Sequence, residues 1–424
     1  MKKYLIEGGH RLNGIVEISG AKNSALKLLA ASIMGDGITK LSGIPRISDV
    51  QTMCEVLRNL GIGIVEERAG VFVIKPSNLK KYEAPYELVR RMRASILVMG
   101  PLLSRLGRAR IAMPGGCNIG SRQIDLHLKG LECLGARFNL GHGYIDVNVN
   151  NGLKGSKVHL DFPSVGATEN MMMAAVMADG RTIISNAARE PEICDLAAFL
   201  NSMGARIEGI GTSTISIEGV KDLHGTEYRV IPDRIETGTF IAAAAVTGGE
   251  ILLKNVLIKN LEIVMSKYSH CGVQFISDGD DLRVISGSEI NSTDISTLPY
   301  PGFPTDLQAI SAAVLSLADG ISIITENVFD NRFMYVDELN RMGANIKVRG
   351  HQAIITGVDK LSSAPVRATD LRAGAALSIA ALSAEGVTEV CDIEHIERGY
   401  EDFEEKFNKI GANIKRVKSK EGAV

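Results

Sequence analysis

The chain has 424 residues, of which 45% are hydrophobic and 23% charged, and its formal net charge is −2. That length predicts two or three domains with substantial cores, and the near-neutral charge gives no global electrostatic reason to bind nucleic acid or a membrane surface. The first ten residues lack the apolar core of a secretion signal and no apolar run reaches about 18 residues, so the expectation is a cytoplasmic protein without a membrane span.

Residues 3–19, with the pair Asn13-Gly14, read as a hairpin. From residue 22 onwards one set of signals recurs six times. Each unit opens with an Ala-rich helix that is apolar nearly all round, at 22–34, 93–106, 164–178, 236–247, 305–317 and 370–384. That composition predicts burial inside a domain, and each helix is expected to stop at a glycine. A short strand follows, such as 181–185 or 321–325. A loop then leads to an amphipathic helix ended by Gly61, Gly135, Gly204, Gly272, Gly343 or Gly411, and two alternating strands complete the unit. These glycines are spaced by 74, 69, 68, 71 and 68 residues, a regularity that marks an internal repeat. The sixth unit stops 13 residues after Gly411, too early for its last strands, and the N-terminal hairpin is expected to supply them. The expected fold is therefore α/β, with three units in each of two domains: residues 22–232, and residues 1–21 with 233–424. Two chain crossings would join them around a cleft.

Six cysteines stand at positions 54, 117, 133, 194, 271 and 391, with no CxxC pair and no metal-like Cys/His spacing. Five have apolar neighbours and read as core thiols of a reducing compartment. Cys117 differs. It lies in Met113-Pro-Gly-Gly-Cys-Asn-Ile-Gly-Ser-Arg122, where glycines let backbone approach a ligand and Arg122 favours thiolate over thiol. Between the glycine after the first helix and the recurrent glycine, the six units count 24, 28, 24, 24, 23 and 25 residues. The longest holds Cys117, an insertion suited to a lid.

Charged residues gather where the buried helices begin: Lys22 beside Asn23, Arg93, Asp306, Asp370 and Arg372. A helix N-terminus carries unpaired N–H groups and the positive end of the dipole. Cations there are electrostatically wrong unless an anion sits between them, whereas Asp370 reads equally well as an N-cap. The loops before the second helices carry Arg46, Arg122, Arg189, Lys259, Arg332 and Arg398, of which Arg332 and Arg398 are favoured for ligand contact.

On these residues the chain resembles the UDP-N-acetylglucosamine enolpyruvyl transferases. The resemblance runs from end to end, and its most specific stretches are Gly20-Ala-Lys-Asn-Ser24, Met92-Arg-Ala-Ser95, Pro114-Gly-Gly-Cys-Asn-Ile-Gly-Ser-Arg122, Ser164-Val-Gly-Ala-Thr168, Ile231-Pro-Asp-Arg-Ile-Glu-Thr-Gly238, Phe303-Pro-Thr-Asp306, Asn331-Arg-Phe-Met334, Thr369-Asp-Leu-Arg372 and Glu397-Arg-Gly-Tyr-Glu401. It implies two inside-out α/β barrel domains, each of three βαβαββ-type units. It also implies transfer of enolpyruvyl from phosphoenolpyruvate to the 3′-hydroxyl of UDP-N-acetylglucosamine, with release of phosphate through a tetrahedral intermediate. That is the first committed step of peptidoglycan precursor synthesis, and it needs neither cofactor nor metal.

Residue by residue, the resemblance makes Cys117 the proton donor and the target of the epoxide antibiotic fosfomycin, and Asp306 either the base that takes the hydroxyl proton or the acceptor of a late proton in elimination. Lys22, Asn23, Cys117, Arg122 and Arg398 become the phosphoenolpyruvate contacts, with Lys22 and Arg398 catalytic as well. Asn23, Arg93, Arg122, Gln123, Ile124, Asp125, Leu126, Ser164, Val165, Gly166, Asp306 and Val328 become contacts to the sugar nucleotide, while Arg332, Asp370 and Arg372 add charge to the cleft. Two positions depart from the pattern: Phe162 precedes Pro163 and Ser164 where some members have a lysine reaching the diphosphate, and Asn118 follows the cysteine where alanine is common. The shikimate-pathway enolpyruvyl transferases are the nearest alternative, but they lack the Pro-Gly-Gly-Cys stretch.

Overall fold

The computed structural model describes residues 2–76, 78–113, 124–141 and 143–418. They form two compact units, residues 2–19 with 232–418 and residues 20–113 with 124–231. The chain passes between the units at Ser19/Gly20 and at Ile231/Pro232.

Each unit carries three four-stranded sheets with one shared topology. In the sheet built from the second repeat, Glu83–Ala84 runs parallel to Arg108–Ala112. Arg108–Ala112 pairs antiparallel with Tyr144–Asn148, which pairs antiparallel with Arg137–Gly141. The other five sheets repeat this order. Inner and outer faces alternate with period two, as in Thr214–Glu218, where Ile215 and Ile217 are buried and their neighbours are not.

Helices occupy the interior. Arg234–Thr247, Gln308–Leu315 and Leu371–Ser383 pack on one another in one unit, and Met99–Leu106 packs on Val165–Ala175 in the other. Alanine and glycine make this close approach possible: a Cβ at Gly100 would lie 2.5 Å from the carbonyl oxygen of Asn170. Two of these helices begin as 3-10 turns, Arg93–Val98 ahead of Met99 and Thr305–Leu307 ahead of Gln308.

The recurrent glycines are helix stops. Gly61, Gly135, Gly204, Gly272, Gly343 and Gly411 all have φ between 92° and 104°. In each case the residue that follows donates its N–H five residues back, from Ile62 N to Leu57 O through to Ala412 N to Phe407 O. This is the six-to-one bond of a Schellman cap, which requires a left-handed residue that only glycine adopts cheaply.

Three expectations are corrected. First, the inner helices do not all end on glycine: Gly107 and Gly248 cap theirs in the left-handed region. Gly37, Gly180, Gly320 and Gly386 instead follow an acidic residue that makes an isolated parallel bridge, as Asp36 does with His224. Second, the N-terminal strands are not a hairpin. Lys2–Glu7 inserts between Val387–Cys391 and Asn413–Lys418 and completes the sixth unit. Asn13–Glu17 pairs parallel with Glu250–Lys254 in a different sheet, so Asn13 and Gly14 lie within a strand. Third, of the five cysteines expected in the core, Cys54 and Cys271 are buried, Cys194 and Cys391 are half-buried, and Cys133 is exposed on the last residue of Asp125–Cys133.

No helix among the described residues is long and apolar enough to cross a membrane.

Candidate functional site

In the unit formed by residues 2–19 and 232–418, the 3-10 turn at Thr305–Leu307 sets Asp306 at the mouth of an inner helix. Arg332 Nη2 donates to Asp306 Oδ1 at 3.0 Å, and Arg372 Nη2 donates to Oδ2 at 2.9 Å. Both arginines are nearly buried, at 4% and 5% exposure, so one carboxylate is gripped by two poorly hydrated guanidinium groups. Burial works to lower the Arg372 pKa. The charges of Asp306, then Tyr400 and Asp233, outweigh it, and the pKa stays above the usual arginine value.

Asp370 turns inward on its own helix: Oδ1 accepts from the N–H groups of Arg372 at 2.8 Å and Ala373 at 3.1 Å. It is an N-cap, and its charge is spent on the helix that carries Arg372. Val328 sits in a loop held by Glu326, whose Oε1 accepts from Val328 N at 2.8 Å and Phe329 N at 3.1 Å, while Oε2 accepts from Thr305 Oγ1 at 2.9 Å. Glu326 thus ties the Val328 loop to the Asp306 turn. Arg398 follows the short helix Glu394–Glu397 and is half-buried.

In the unit of residues 20–231, Lys22 opens the helix Lys22–Ala31 and places Nζ 2.8 Å from Asp49 Oδ2, with both side chains largely buried. Asn23 is half-buried beside it. Ser24 donates to Asp195, which also accepts from Tyr228 Oη at 2.8 Å. One turn on, Lys27 Nζ lies 3.4 Å from the buried Glu169.

Arg93 opens its 3-10 turn near His127. Burial, then the Arg93 charge, pushes the His127 imidazole down to about 4, and Asn170 Nδ2 lies 2.9 Å from its Nδ1. Ile124, Asp125 and Leu126 lead into the same helix, half-buried. Ser164 caps Val165–Ala175, its Oγ accepting from Ala167 N at 3.4 Å. A Cβ at Gly166 would lie 3.0 Å from the His127 ring, so the helix carrying Ser164 and Val165 seats against the helix carrying Asp125 and Leu126. Phe162 is 41% exposed.

Cys117, Arg122 and Gln123 fall within residues 114–123, outside the described residues. Sequence reasoning missed Asp49, Glu326 and His127: an acid in a first helical turn or a histidine on an apolar face reads as ordinary capping or core. Arg46 and Lys259, singled out by loop position, are exposed.

The arrangement in the first unit offers a carboxylate able to accept a proton and cationic groups able to hold anionic oxygens. The described residues include no group of three or more His, Cys, Asp and Glu side chains that could hold a metal ion.

Comparison with known proteins narrows this chemistry. A family model described as EPSP synthase (3-phosphoshikimate 1-carboxyvinyltransferase) matches residues 6–407. The UDP-N-acetylglucosamine 1-carboxyvinyltransferase 2 of Carboxydothermus hydrogenoformans is 56% identical over 419 residues, covering 98% of this chain and 100% of that protein. The UDP-N-acetylglucosamine 1-carboxyvinyltransferase 1 of Caldanaerobacter subterraneus subsp. tengcongensis is 56% identical over 414 residues, covering 98% and 99%. Among solved structures, the enolpyruvyl transferase NikO from Streptomyces tendae superposes with a TM-score of 0.88 at 25% identity, covering 98% of this chain and 99% of that one. An EPSP synthase from Acinetobacter baumannii reaches 0.76 at 17% identity, covering 99% and 100%, a likeness of fold alone.

Proposed function

The chain belongs to the EPSP synthase (3-phosphoshikimate 1-carboxyvinyltransferase) family, and from that premise we propose that it transfers enolpyruvyl from phosphoenolpyruvate to the 3′-hydroxyl of UDP-N-acetylglucosamine. The observation that carries the choice of acceptor is the 56% identity, over nearly the whole of both chains, to transferases named for that substrate.

The acceptor oxygen adds to C2 of phosphoenolpyruvate while a proton adds to the C3 methylene. Loss of phosphate and of a C3 proton from the tetrahedral intermediate then restores the double bond. Cys117 supplies the proton to C3, and Asp306 takes the proton of the acceptor hydroxyl. Lys22, Asn23, Arg122 and Arg398 hold the phosphate and carboxylate of the donor. Arg93, Gln123, Ile124, Asp125, Leu126, Ser164, Val165, Gly166 and Val328 contact the sugar nucleotide.

The double arginine grip fixes the Asp306 carboxylate in place and adds a condition to its role. Two guanidinium groups favour the carboxylate and weaken it as a base. Substrate anions that draw Arg332 or Arg372 away restore its basicity when the acceptor hydroxyl arrives. Arg332 and Arg372 then stabilise charge on the intermediate.

The product enters peptidoglycan precursor synthesis, which gives the protein a cytoplasmic role with a part in cell shape and division, and the thiol of Cys117 is the nucleophile that the epoxide fosfomycin alkylates. The decisive assay is phosphate release from phosphoenolpyruvate with UDP-N-acetylglucosamine or shikimate 3-phosphate as acceptor. Release with the first alone is expected; release with the second alone overturns the reading.

A further inference from the structure

Glu397-Arg-Gly-Tyr-Glu401 contains two residues, Tyr400 and Glu401, that have no part in the reaction as described. We propose that Lys406 and Ser19 are positioning residues for Arg398, acting through Glu401. The inference rests on the reading of Arg398 as a phosphoenolpyruvate contact.

Lys406 Nζ lies 2.6 Å from Glu236 Oε1 and donates to Ser19 Oγ, also at 2.6 Å. A hydroxyl has one proton to give. With its oxygen accepting from the ammonium group, Ser19 directs that proton to Glu401 Oε2, 2.8 Å away. Ser19 is itself fixed on the backbone: its N–H donates to Glu236 Oε2 at 2.7 Å and its carbonyl accepts from Asp233 N at 2.9 Å. Glu236 is 4% exposed and anchored in the first turn of Arg234–Thr247. The order Lys406 to Ser19 to Glu401 is therefore directional, and it ends three residues from Arg398.

A second observation is independent of that chain. Asp402, next to Glu401, has φ 49°, a left-handed conformation uncommon outside glycine that persists where the surroundings over-determine it. On its C-terminal side Phe403 and Phe407 are buried, with Phe407 stacked on Phe240 at 4.6 Å. On its N-terminal side the Tyr400 hydroxyl lies 2.8 Å from Thr239 Oγ1, and the ring sits under Arg372 at 5.5 Å. The aromatic residues alone would dock the helix Phe403–Lys409. Burying an ammonium–carboxylate pair as well is costly, and what it adds is a fixed hydroxyl orientation at Glu401.

Ser19→Ala removes the relay and leaves the Lys406–Glu236 pair in place, so it tests the proposal without threatening the fold. It should raise the KM for phosphoenolpyruvate about five- to tenfold, with the KM for UDP-N-acetylglucosamine and the thermal midpoint little changed. Lys406→Met should reproduce the donor-specific shift, and Lys406→Arg should restore most of it. In an Arg398→Ala background the Ser19→Ala effect should vanish, because the residue it positions is gone. Equal effects in both backgrounds would overturn the proposal. So would an unchanged donor KM in Ser19→Ala while Arg398→Ala raises it, an outcome that leaves the reading of Arg398 intact. A normal donor KM in Arg398→Ala removes both readings together.

Discussion

Arg372 Nη2 and Asp306 Oδ2 meet at 2.9 Å across 66 residues of chain, each at the start of a different inner helix. The contact exists because two repeats place helix mouths side by side, and Arg332 completes it from the loop before the next helix. Asp306→Asn keeps the shape but supplies neither a charge for the two arginines nor a base for the acceptor. Turnover should fall about 10²- to 10⁴-fold, while calorimetry still detects UDP-N-acetylglucosamine binding. Wild-type turnover in this variant would exclude the base role.

Cys117 should be the residue that fosfomycin alkylates. The described thiols provide internal controls: burial pushes Cys54 and Cys271 up to about 11, which leaves almost no thiolate at neutral pH, whereas Cys133 is exposed. Peptide mapping should find the adduct at Cys117 and not at Cys133. UDP-N-acetylglucosamine should hasten the reaction if the loop closes over substrate. Cys117→Asp should keep turnover with an optimum shifted toward acid, because a carboxylic acid can also donate the proton, and alkylation should cease. An adduct at Cys133 would remove the special status of the Cys117 loop.

The recurrent glycines separate two causes of strain. Gly135 has φ 96° with open space where a Cβ would go, while Gly61 has φ 101° and a Cβ there would lie 2.4 Å from the Asn78 carbonyl oxygen. Gly135→Ala should cost about 1–2 kcal/mol from backbone conformation alone. Gly61→Ala must also displace backbone and should cost distinctly more in chemical denaturation. Equal losses would mean that the Asn78 loop yields freely.

Those same glycines explain how much of the fold was legible. A left-handed cap leaves a residue-level mark, so the repeat could be counted, and Ala-rich helices mark themselves as interior. Strand partners leave no such mark. Asn13-Gly14 has the chemistry of a turn, yet Gly14 pairs with Ile251 in a parallel ladder, a choice made by tertiary packing. At the site, Lys22, Asp306 and Arg372 stood out because cations and acids at buried helix mouths need a reason, and Arg332 stood out by its recurring place in the loop before a second helix. Asp49 did not, because an acid in a first turn is ordinary until the fold brings it 2.8 Å from Lys22.

Glu169 and His127 should give the stability of residues 20–231 two opposing pH dependences. Burial raises the Glu169 carboxyl from 4.5 to about 7, against the opposing charge of Lys27 and with Glu192 and Glu190 adding to the rise. Burial, then Arg93, lowers His127 from 6.5 to about 4, with Asp125 opposing. Glu169 binds its proton more tightly in the folded state, so its contribution is present below the unfolded pKa and is lost as pH rises from about 4.5 to about 7. His127 binds its proton more tightly when unfolded, so its contribution is present above about 6.5 and is lost as pH falls toward about 4. The two slopes oppose each other in the wild type over the shared window, and single variants should expose them. The thermal midpoint of Glu169→Gln relative to wild type should improve as pH rises from about 5 to about 7, because only the wild type then acquires a buried charge at position 169. That of His127→Gln relative to wild type should worsen over the same range, because only the wild type then sheds the penalty of a neutral imidazole held below its unfolded pKa. Flat differences for both variants would show that neither group is held away from its ordinary protonation equilibrium.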